Sequence, residues 1–157
     1  MNPDGGAWDP HRYRFLSLWD LPAPPGRVYQ ELRDPRRWPH WWPEVREVRQ
    51  VDERTGVLRF RSALPYDLVV VATAVREDPA EGVLEAAMRG DLEGSARWTV
   101  TSRGDGATVA VFQQDVVVRK PLMRAFALPG RPFFRANHWL MMRHGRNGLG
   151  RLLATAR

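Results

Sequence analysis

The chain has 157 residues, of which 43% are hydrophobic and 27% are charged, and this composition suits one folded domain. It excludes a disordered chain, a collagen-like repeat and a large multidomain enzyme. The longest apolar run, which begins at Leu68, is far shorter than the roughly 20 residues of a membrane-spanning helix. Because the chain has no cysteine and no basic, apolar secretory leader, we expect a cytoplasmic protein without disulfides. A loose tail of residues 1–11 is expected to precede one domain over residues 12–157.

The net charge of +6 is distributed unevenly along the chain. Residues 119–157 contain nine basic residues and no acidic one, whereas the first 118 residues contain 15 basic and 18 acidic residues. This asymmetry is compatible with an anionic partner, although a solvated helix face that carries arginines is the more common explanation. We expect no nucleic-acid binding, because a basic helix alone is weak evidence for it. We also expect no stable membrane insertion, and a peripheral membrane contact through the basic C-terminal helix stays an open alternative.

The first part of the chain predicts a strand, a helix and a packed connector. Apolar and polar residues alternate from Tyr13 to Leu21, which is typical of a half-buried strand. Pro25 suits the first turn of a helix, and Asp34-Pro35 ends that helix because a residue before proline avoids helical geometry. The Trp38–Pro43 segment combines three tryptophans with two prolines, so it is predicted to be a bent connector. It forms a hydrophobic lid, or it stacks on a ligand.

Six further strands are predicted after this connector. Turn signals separate them so closely that no crossover helix fits between them, and the sheet is therefore predicted to be antiparallel. Apolar residues alternate with polar ones, so one face of the sheet is expected to be covered. The predicted strands are Glu44–Val51, Val57–Leu64, Tyr66–Arg76, Gly82–Arg89, Gly94–Ser102 and Thr108–Val118.

The remainder of the chain predicts two helices that cover this face. A short helix is expected over Leu122–Leu128 and a long one from Phe133 to Ala154, with a break at Pro129–Pro132 between them.

Three glycines in the long helix, Gly145, Gly148 and Gly150, each cost roughly 1 kcal/mol relative to alanine. Missing side chains would leave volume for a ligand, whereas the alternative is that the helix ends or kinks near Gly145. The apolar pattern resumes at Leu149 and Leu152, which favours the cavity.

Four motifs in this order resemble the SRPBCC superfamily, and most closely its polyketide cyclase/dehydrase-like branch of START-type domains. The motifs are the Pro24–Asp34 helix, Trp38-x-x-Trp41-Trp42-Pro43, Gly90-Asp91-Leu92-Glu93-Gly94-x-x-x-Trp98 and Asn137-His138-x-x-Met141. The resemblance covers residues 13–153. It implies an α+β helix-grip fold, in which a curved antiparallel β-sheet wraps around a long C-terminal α-helix, two short helices follow the first strand, and a cavity separates sheet and helix. Members bind lipids, sterols, hormones or polyketides and a minority are enzymes, so the fold implies a cavity and not an activity.

The candidate ligand-binding residues are those expected to face this cavity from the connector, the sheet and the long helix. They are Trp42, Phe60, Tyr66, Trp98, Phe112, Gln114, Asn137, Met141 and His144. Asn137 and His144 would orient a carbonyl or hydroxyl group, although a lone histidine near an apolar face is more often structural. His138 lies at the edge of that face, and a structural role is expected for it as well. Asp115 is expected on the outer face of the sheet, because inward Phe112 and Gln114 fit the family better.

No metal or cofactor is expected, because the four histidines lack metal-ligand spacing and no phosphate-binding or nucleophile motif occurs. We interpret the chain as a binder of a small, largely hydrophobic ligand (a polyketide, isoprenoid or lipid-like molecule), acting as a monomer or weak homodimer. One alternative is a polyketide aromatase/cyclase-type enzyme in which Asn137, His144 or Tyr66 polarises carbonyl groups. A second alternative is a peripheral membrane lipid-transfer protein.

Overall fold

Seven strands form one antiparallel sheet in the computed structural model, which describes residues 8–61, 64 and 66–155. They are β1 (Arg12–Leu21), β2 (Val45–Gln50), β3 (Thr55–Arg61), β4 (Asp67–Asp78), β5 (Val83–Gly90), β6 (Leu92–Gly104) and β7 (Ala107–Val118). The spatial order is β1-β7-β6-β5-β4-β3-β2, so the strands from β2 to β7 form consecutive hairpins. The β1–β2 connection therefore runs from one edge of the sheet to the other.

Four helical segments accompany the sheet. They are α1 (Pro25–Arg33), a 3₁₀ helix (Pro35–His40), α2 (Pro121–Ala125) and α3 (Ala127–Thr155). Helix α1 begins at Pro25, and the Asp34 side chain accepts a hydrogen bond from the backbone N–H of Arg36 at the start of the 3₁₀ helix (3.2 Å). Two short helices thus follow β1, and the predicted α+β helix-grip fold with a curved sheet and a long C-terminal helix is confirmed.

The strand predictions agree with the structure to within a few residues. Two predicted parts lie outside the described residues: residues 1–7 of the tail, and residues 62–63 of the second strand after the connector. The prediction that Asp115 points outward is confirmed, since its carboxylate pairs with the Arg12 guanidinium at 2.6 Å and 2.9 Å. Gln114 and Phe112 point inward and are buried.

The predicted helix break at Pro129–Pro132 is wrong, because α3 runs without interruption from Ala127 to Thr155. Pro129 stands in the first turn, where a backbone N–H has no partner within the helix. The helical bonding is already established at Gly130, whose N–H donates to the Phe126 carbonyl at 2.7 Å. Pro132 has no backbone N–H, so α3 lacks one backbone hydrogen bond at this position and continues as a helix beyond it.

Tryptophans form the centre of the core. The Trp19 ring, from β1, lies edge-to-face on Trp98 from β6, with ring centroids 4.7 Å apart. Trp41 and Trp42 of the connector stack on each other and also meet Trp19. The Trp42 indole N–H donates to the Met141 carbonyl at 2.9 Å. The connector is therefore a hydrophobic lid that is tied to α3.

Two of the α3 glycines make room for this lid, not for a ligand. A Cβ atom at Gly148 would lie 1.7 Å from the Trp41 carbonyl oxygen, and one at Gly145 would lie 2.6 Å from the Trp42 ring. Gly150 has nothing within 4 Å of the corresponding position. The prediction that glycines open the cavity is therefore wrong, as is the alternative that the helix ends near Gly145. Sequence periodicity shows where a side chain is missing, but it does not show what occupies the space.

We expect Gly148→Ala to lower the free energy of unfolding by at least about 2 kcal/mol, because the new methyl group displaces backbone and not a flexible side chain. Gly150→Ala is the matched control on the same helix, and it should leave stability unchanged or raise it by up to about 1 kcal/mol. Urea denaturation followed by circular dichroism measures both. Equal stability of the two variants would contradict the close approach of the lid to α3.

Candidate functional site

A cavity of about 400 Å³ lies between the concave face of the sheet and α3. Aromatic rings and alanines share its wall: Trp42, Phe60, Trp98 and Phe112, with Ala72, Ala86 and Ala96. The short alanine side chains, which stand on β4, β5 and β6, leave open the volume that larger residues would fill. Towards α1 and the β2–β3 turn the lining becomes polar and includes Arg33, Arg37 and Arg54.

A smaller space of about 90 Å³, the side chamber, adjoins this cavity. Gln114, His138 and Met141 line both spaces, so they stand at the boundary. The residues that line the side chamber alone include Tyr13, Leu68, Val116, Met123 and Phe134. The space between sheet and α3 is thus divided into a larger main cavity and a side chamber beside α2.

A polar pair bridges sheet and helix at this boundary. The His138 Nε2 atom lies 3.1 Å from Gln114 Oε1, and the His138 ring stacks on Phe15 with centroids 3.6 Å apart. Burial, with a smaller contribution from the nearby Arg135 guanidinium, lowers the pKa of His138 to about 4. The imidazole is therefore neutral near pH 7. In this arrangement its Nε2 donates to Gln114, and its Nδ1 carries a lone pair.

Three side chains that line the side chamber contain a buried polar atom without a hydrogen-bond partner among the described residues. These atoms are the Tyr13 hydroxyl, the Tyr66 hydroxyl and Asn137 Oδ1. Burial, with a smaller contribution from nearby Tyr13, raises the pKa of Tyr66 to about 12, so its hydroxyl keeps its proton. An unsatisfied buried polar group costs about 1–3 kcal/mol. The side chamber thus contains two unused hydroxyl groups and one unused amide oxygen.

The structure brings eight of the nine candidate residues together around these two spaces. Trp42, Phe60, Trp98, Phe112, Gln114 and Met141 line the main cavity, and Tyr66 and Asn137 line the side chamber. His144 is the exception, because it lines neither space. It lies in a surface groove beside Pro43 and Arg46.

The expectation that His144 faces the cavity is wrong, because His144 contacts Glu44 at the surface instead. Its Nδ1 atom hydrogen-bonds the carboxylate of Glu44, a residue that is only 6% exposed. His138, which the sequence placed at the edge of the helix face, occupies the cavity boundary instead. At 100° per residue, the two histidines lie about 120° apart around the helix axis. Glu44 precedes His144 by 100 positions, so no local motif could reveal the pair.

The family model for "Polyketide cyclase / dehydrase and lipid transport" matches residues 21–138. The chain therefore belongs to this family, and with it to the SRPBCC superfamily of START-like domains. A search of curated protein sequences finds no significant match.

Solved structures support the same assignment of fold. The Zhui aromatase/cyclase from Streptomyces sp. R1128 is 16% identical with a TM-score of 0.74, over 88% of this chain and 92% of that one. A START superfamily protein from Mycobacterium smegmatis is 16% identical with a TM-score of 0.72, over 92% and 99% of the two chains. A conserved protein from Geobacillus kaustophilus is 11% identical with a TM-score of 0.75, over 92% and 97%. At these identities the similarity establishes a common fold.

We expect the free energy of unfolding to fall by up to about 3 kcal/mol between pH 6.5 and pH 4 because of His138 alone. Its pKa is about 4 in the folded protein and 6.5 ordinarily, so the unfolded chain binds the extra proton in this range and gains stability as the pH falls. Urea denaturation at several pH values measures the slope. The variant His138→Gln should lack it, and identical slopes in both proteins would contradict the burial of a neutral imidazole.

We expect His144→Ala to lower the free energy of unfolding by about 1–3 kcal/mol, because the buried Glu44 carboxylate loses its partner. Ligand affinity should not change, since His144 does not line the cavity. The control is His40→Ala, which alters an exposed histidine and should shift stability by less than about 0.5 kcal/mol. Thermal unfolding and ligand titration of both variants would test this, and a selective loss of ligand affinity in His144→Ala would return His144 to the site.

Proposed function

We propose that the protein binds a small, largely hydrophobic ligand of the polyketide, isoprenoid or lipid-like class between the sheet and α3. The observation that carries this proposal is the cavity of about 400 Å³ with its aromatic and alanine wall. Small-molecule sites have volumes of roughly 300–1,000 Å³ and few polar groups among apolar ones. Burial of an apolar ligand against these rings supplies the affinity, at about 25 cal/mol per Å² of apolar surface removed from water.

The lining of the side chamber favours a ligand that carries a polar group at one end. The unused Tyr66 hydroxyl can donate a hydrogen bond to a ligand carbonyl or hydroxyl oxygen. Asn137 Oδ1 can accept one from a ligand hydroxyl group. Satisfying both groups offsets the cost of burying them, so the chamber favours an oxygenated end over a hydrocarbon end. Gln114 and His138, at the boundary, would lie beside the middle of such a ligand.

A second candidate function, cyclisation of a polyketide, is supported by the family and by the aromatase/cyclase among the similar structures. His138 is the titratable side chain at the boundary between the two spaces, and its pKa of about 4 makes it a weak base near pH 7. A cyclase built on this lining would act by hydrogen bonding. Tyr66 would polarise a carbonyl oxygen, while the cavity folds the chain so that the reacting carbons meet.

We expect Ala86→Phe to weaken binding of the probe 1-anilinonaphthalene-8-sulfonate at least about tenfold, because the new ring fills the main cavity. The matched control is Ala87→Phe, at the adjacent exposed position of β5, which should bind the probe like the wild type. Fluorescence titration measures both affinities. Circular dichroism at each stage establishes that both variants are folded.

Native mass spectrometry of the purified protein then separates the two candidate functions. A binding protein retains a ligand of constant mass, which Ala86→Phe should lose and Ala87→Phe should keep. A cyclase converts an added linear poly-β-ketone into a product of lower mass when water is lost. Equal probe affinity in both variants, with no retained ligand, would refute binding in the cavity.

A further inference from the structure

Several large apolar side chains on α2, on α3 and at the junction between them face solvent. They are Leu122, Phe126, Phe133, Trp139 and Leu140, exposed to 45%, 55%, 68%, 60% and 37%, and we call them the docking patch. On α3, at about 100° per residue, its three members fall within roughly one third of the helix circumference. His138 and Met142 occupy the opposite side and face the cavity. One side of α3 thus covers the ligand space, and its other side presents aromatic residues that the described fold does not cover.

The charge around the docking patch is positive and uncompensated. Chain residues 119–157 contain no acidic residue. Among the described residues, Arg119 and Lys120 form ion pairs with Glu93 and Asp91, whereas the six arginines that follow have no carboxylate within ion-pair distance. These six are Arg124, Arg131, Arg135, Arg143, Arg146 and Arg151. Most arginines of the sheet, in contrast, pair with carboxylates of neighbouring strands or turns, as Arg12, Arg59 and Arg97 do.

Two arginines are placed to act together with the apolar side chains. The Arg143 guanidinium lies 5.3 Å from the centroid of the Trp139 ring, so a cation and an indole share one position on α3. Arg146 follows Arg143 on the same side of the helix. Arginine stems can lie along an apolar surface while their heads reach anionic groups.

We propose that the docking patch binds the surface of an anionic lipid bilayer. Tryptophan and phenylalanine flanked by arginines are the side chains that partition into the headgroup region, where apolar and charged groups are both satisfied. Nucleic acid offers the arginines phosphates but gives exposed phenylalanines no apolar environment. The binding is peripheral, since α3 has 29 residues but no described helix is apolar enough to span a membrane.

The docking patch is continuous in sequence with the wall of the side chamber. Met123 and Phe134 line the chamber, and their neighbours Leu122 and Phe133 belong to the patch. Docking through the patch therefore brings the α2–α3 wall of the side chamber against the lipid surface. The membrane proposal rests on exposure and charge alone, so it stands or falls independently of ligand binding.

The experiment is co-sedimentation of the full chain with phosphatidylcholine vesicles, with and without phosphatidylglycerol, at low and high salt. We expect binding to the vesicles that contain phosphatidylglycerol, weakened by salt. Arg143→Glu with Arg146→Glu should lower the partition coefficient about tenfold or more, since each arginine near an anionic surface contributes roughly fivefold. Phe133→Ser with Trp139→Ser should also weaken binding, and mainly the part that survives high salt.

Matched controls lie elsewhere on the surface. Leu16→Ser with Leu18→Ser removes two side chains of similar exposure, 64% and 61%, from β1. Arg27→Glu with Arg49→Glu makes the same change of net charge at exposed positions of α1 and β2. Both control pairs should bind vesicles like the wild type, apart from a small uniform effect of net charge. All variants should retain affinity for 1-anilinonaphthalene-8-sulfonate, which reports an intact fold.

The outcomes distinguish vesicle binding through the docking patch from vesicle binding through net charge. Equal losses in patch and control variants would overturn the proposal and assign the binding to net charge. Absence of wild-type binding to anionic vesicles would overturn it too. If the wild-type protein were then retained on immobilised polyglutamate, the docking patch would be assigned to an acidic protein partner. Brominated lipid should quench the tryptophan fluorescence of the wild type more than that of Trp139→Phe, a variant that keeps an aromatic ring. This result would place Trp139 at the lipid surface and support the proposal.

Discussion

The close approach of the Trp41–Trp42 lid to α3 determines where the long helix lies above the sheet. The Trp41 carbonyl occupies the position of the missing Gly148 side chain, and Trp42 bonds the Met141 carbonyl. Beyond these contacts, Leu149 and Leu153 are fully packed in the core. The C-terminal half of α3 is therefore anchored to the sheet, while its preceding turns span the cavity. The helix packs closely on the sheet at one end of the fold and leaves the main cavity at the other.

The main cavity owes its volume to the sheet more than to the helix. Alanines on β4, β5 and β6 stand where larger residues would fill the space, and aromatic rings border them. Polar groups enter the lining towards α1 and the β2–β3 turn, and also where the sheet and α3 meet, at the His138–Gln114 pair and in the side chamber. The neutral histidine at this boundary, the contact of His144 with buried Glu44 and the tryptophan lid all depend on the same placement of α3. Ligand space and core are thus two parts of one packing arrangement.

Much of the architecture could be predicted because local patterns carry it. The alternation along β7 separated two sets of side chains, and the family resemblance then placed Phe112 and Gln114 inward and Asp115 outside. Proline positions correctly predicted the bounds of α1, but Pro129 and Pro132 led to the wrong prediction of a helix break. A proline in the first turn of a helix costs no hydrogen bond, and packing of α3 offsets the one hydrogen bond that is lost at Pro132. The aromatic and amide residues of the candidate site were chosen because they were expected on the side of the sheet or helix that faces the cavity. His144 was not placed correctly, because the rotation of α3 about its own axis depends on which neighbours it meets.

By itself the sequence determined the strand order along the chain, the alternation of side chains in the sheet, the packed tryptophan connector and the resemblance to the family to which the chain belongs. These follow from short-range periodicity, turn residues and motifs, which act over a few residues. Only the tertiary structure decided that Gly148 receives a backbone carbonyl, that Glu44 partners His144, and that His138 borders the ligand space. Those contacts join residues about 100 positions apart in two cases and 24 in the third. Such distances in sequence leave no local pattern, because the fold alone brings the partners together.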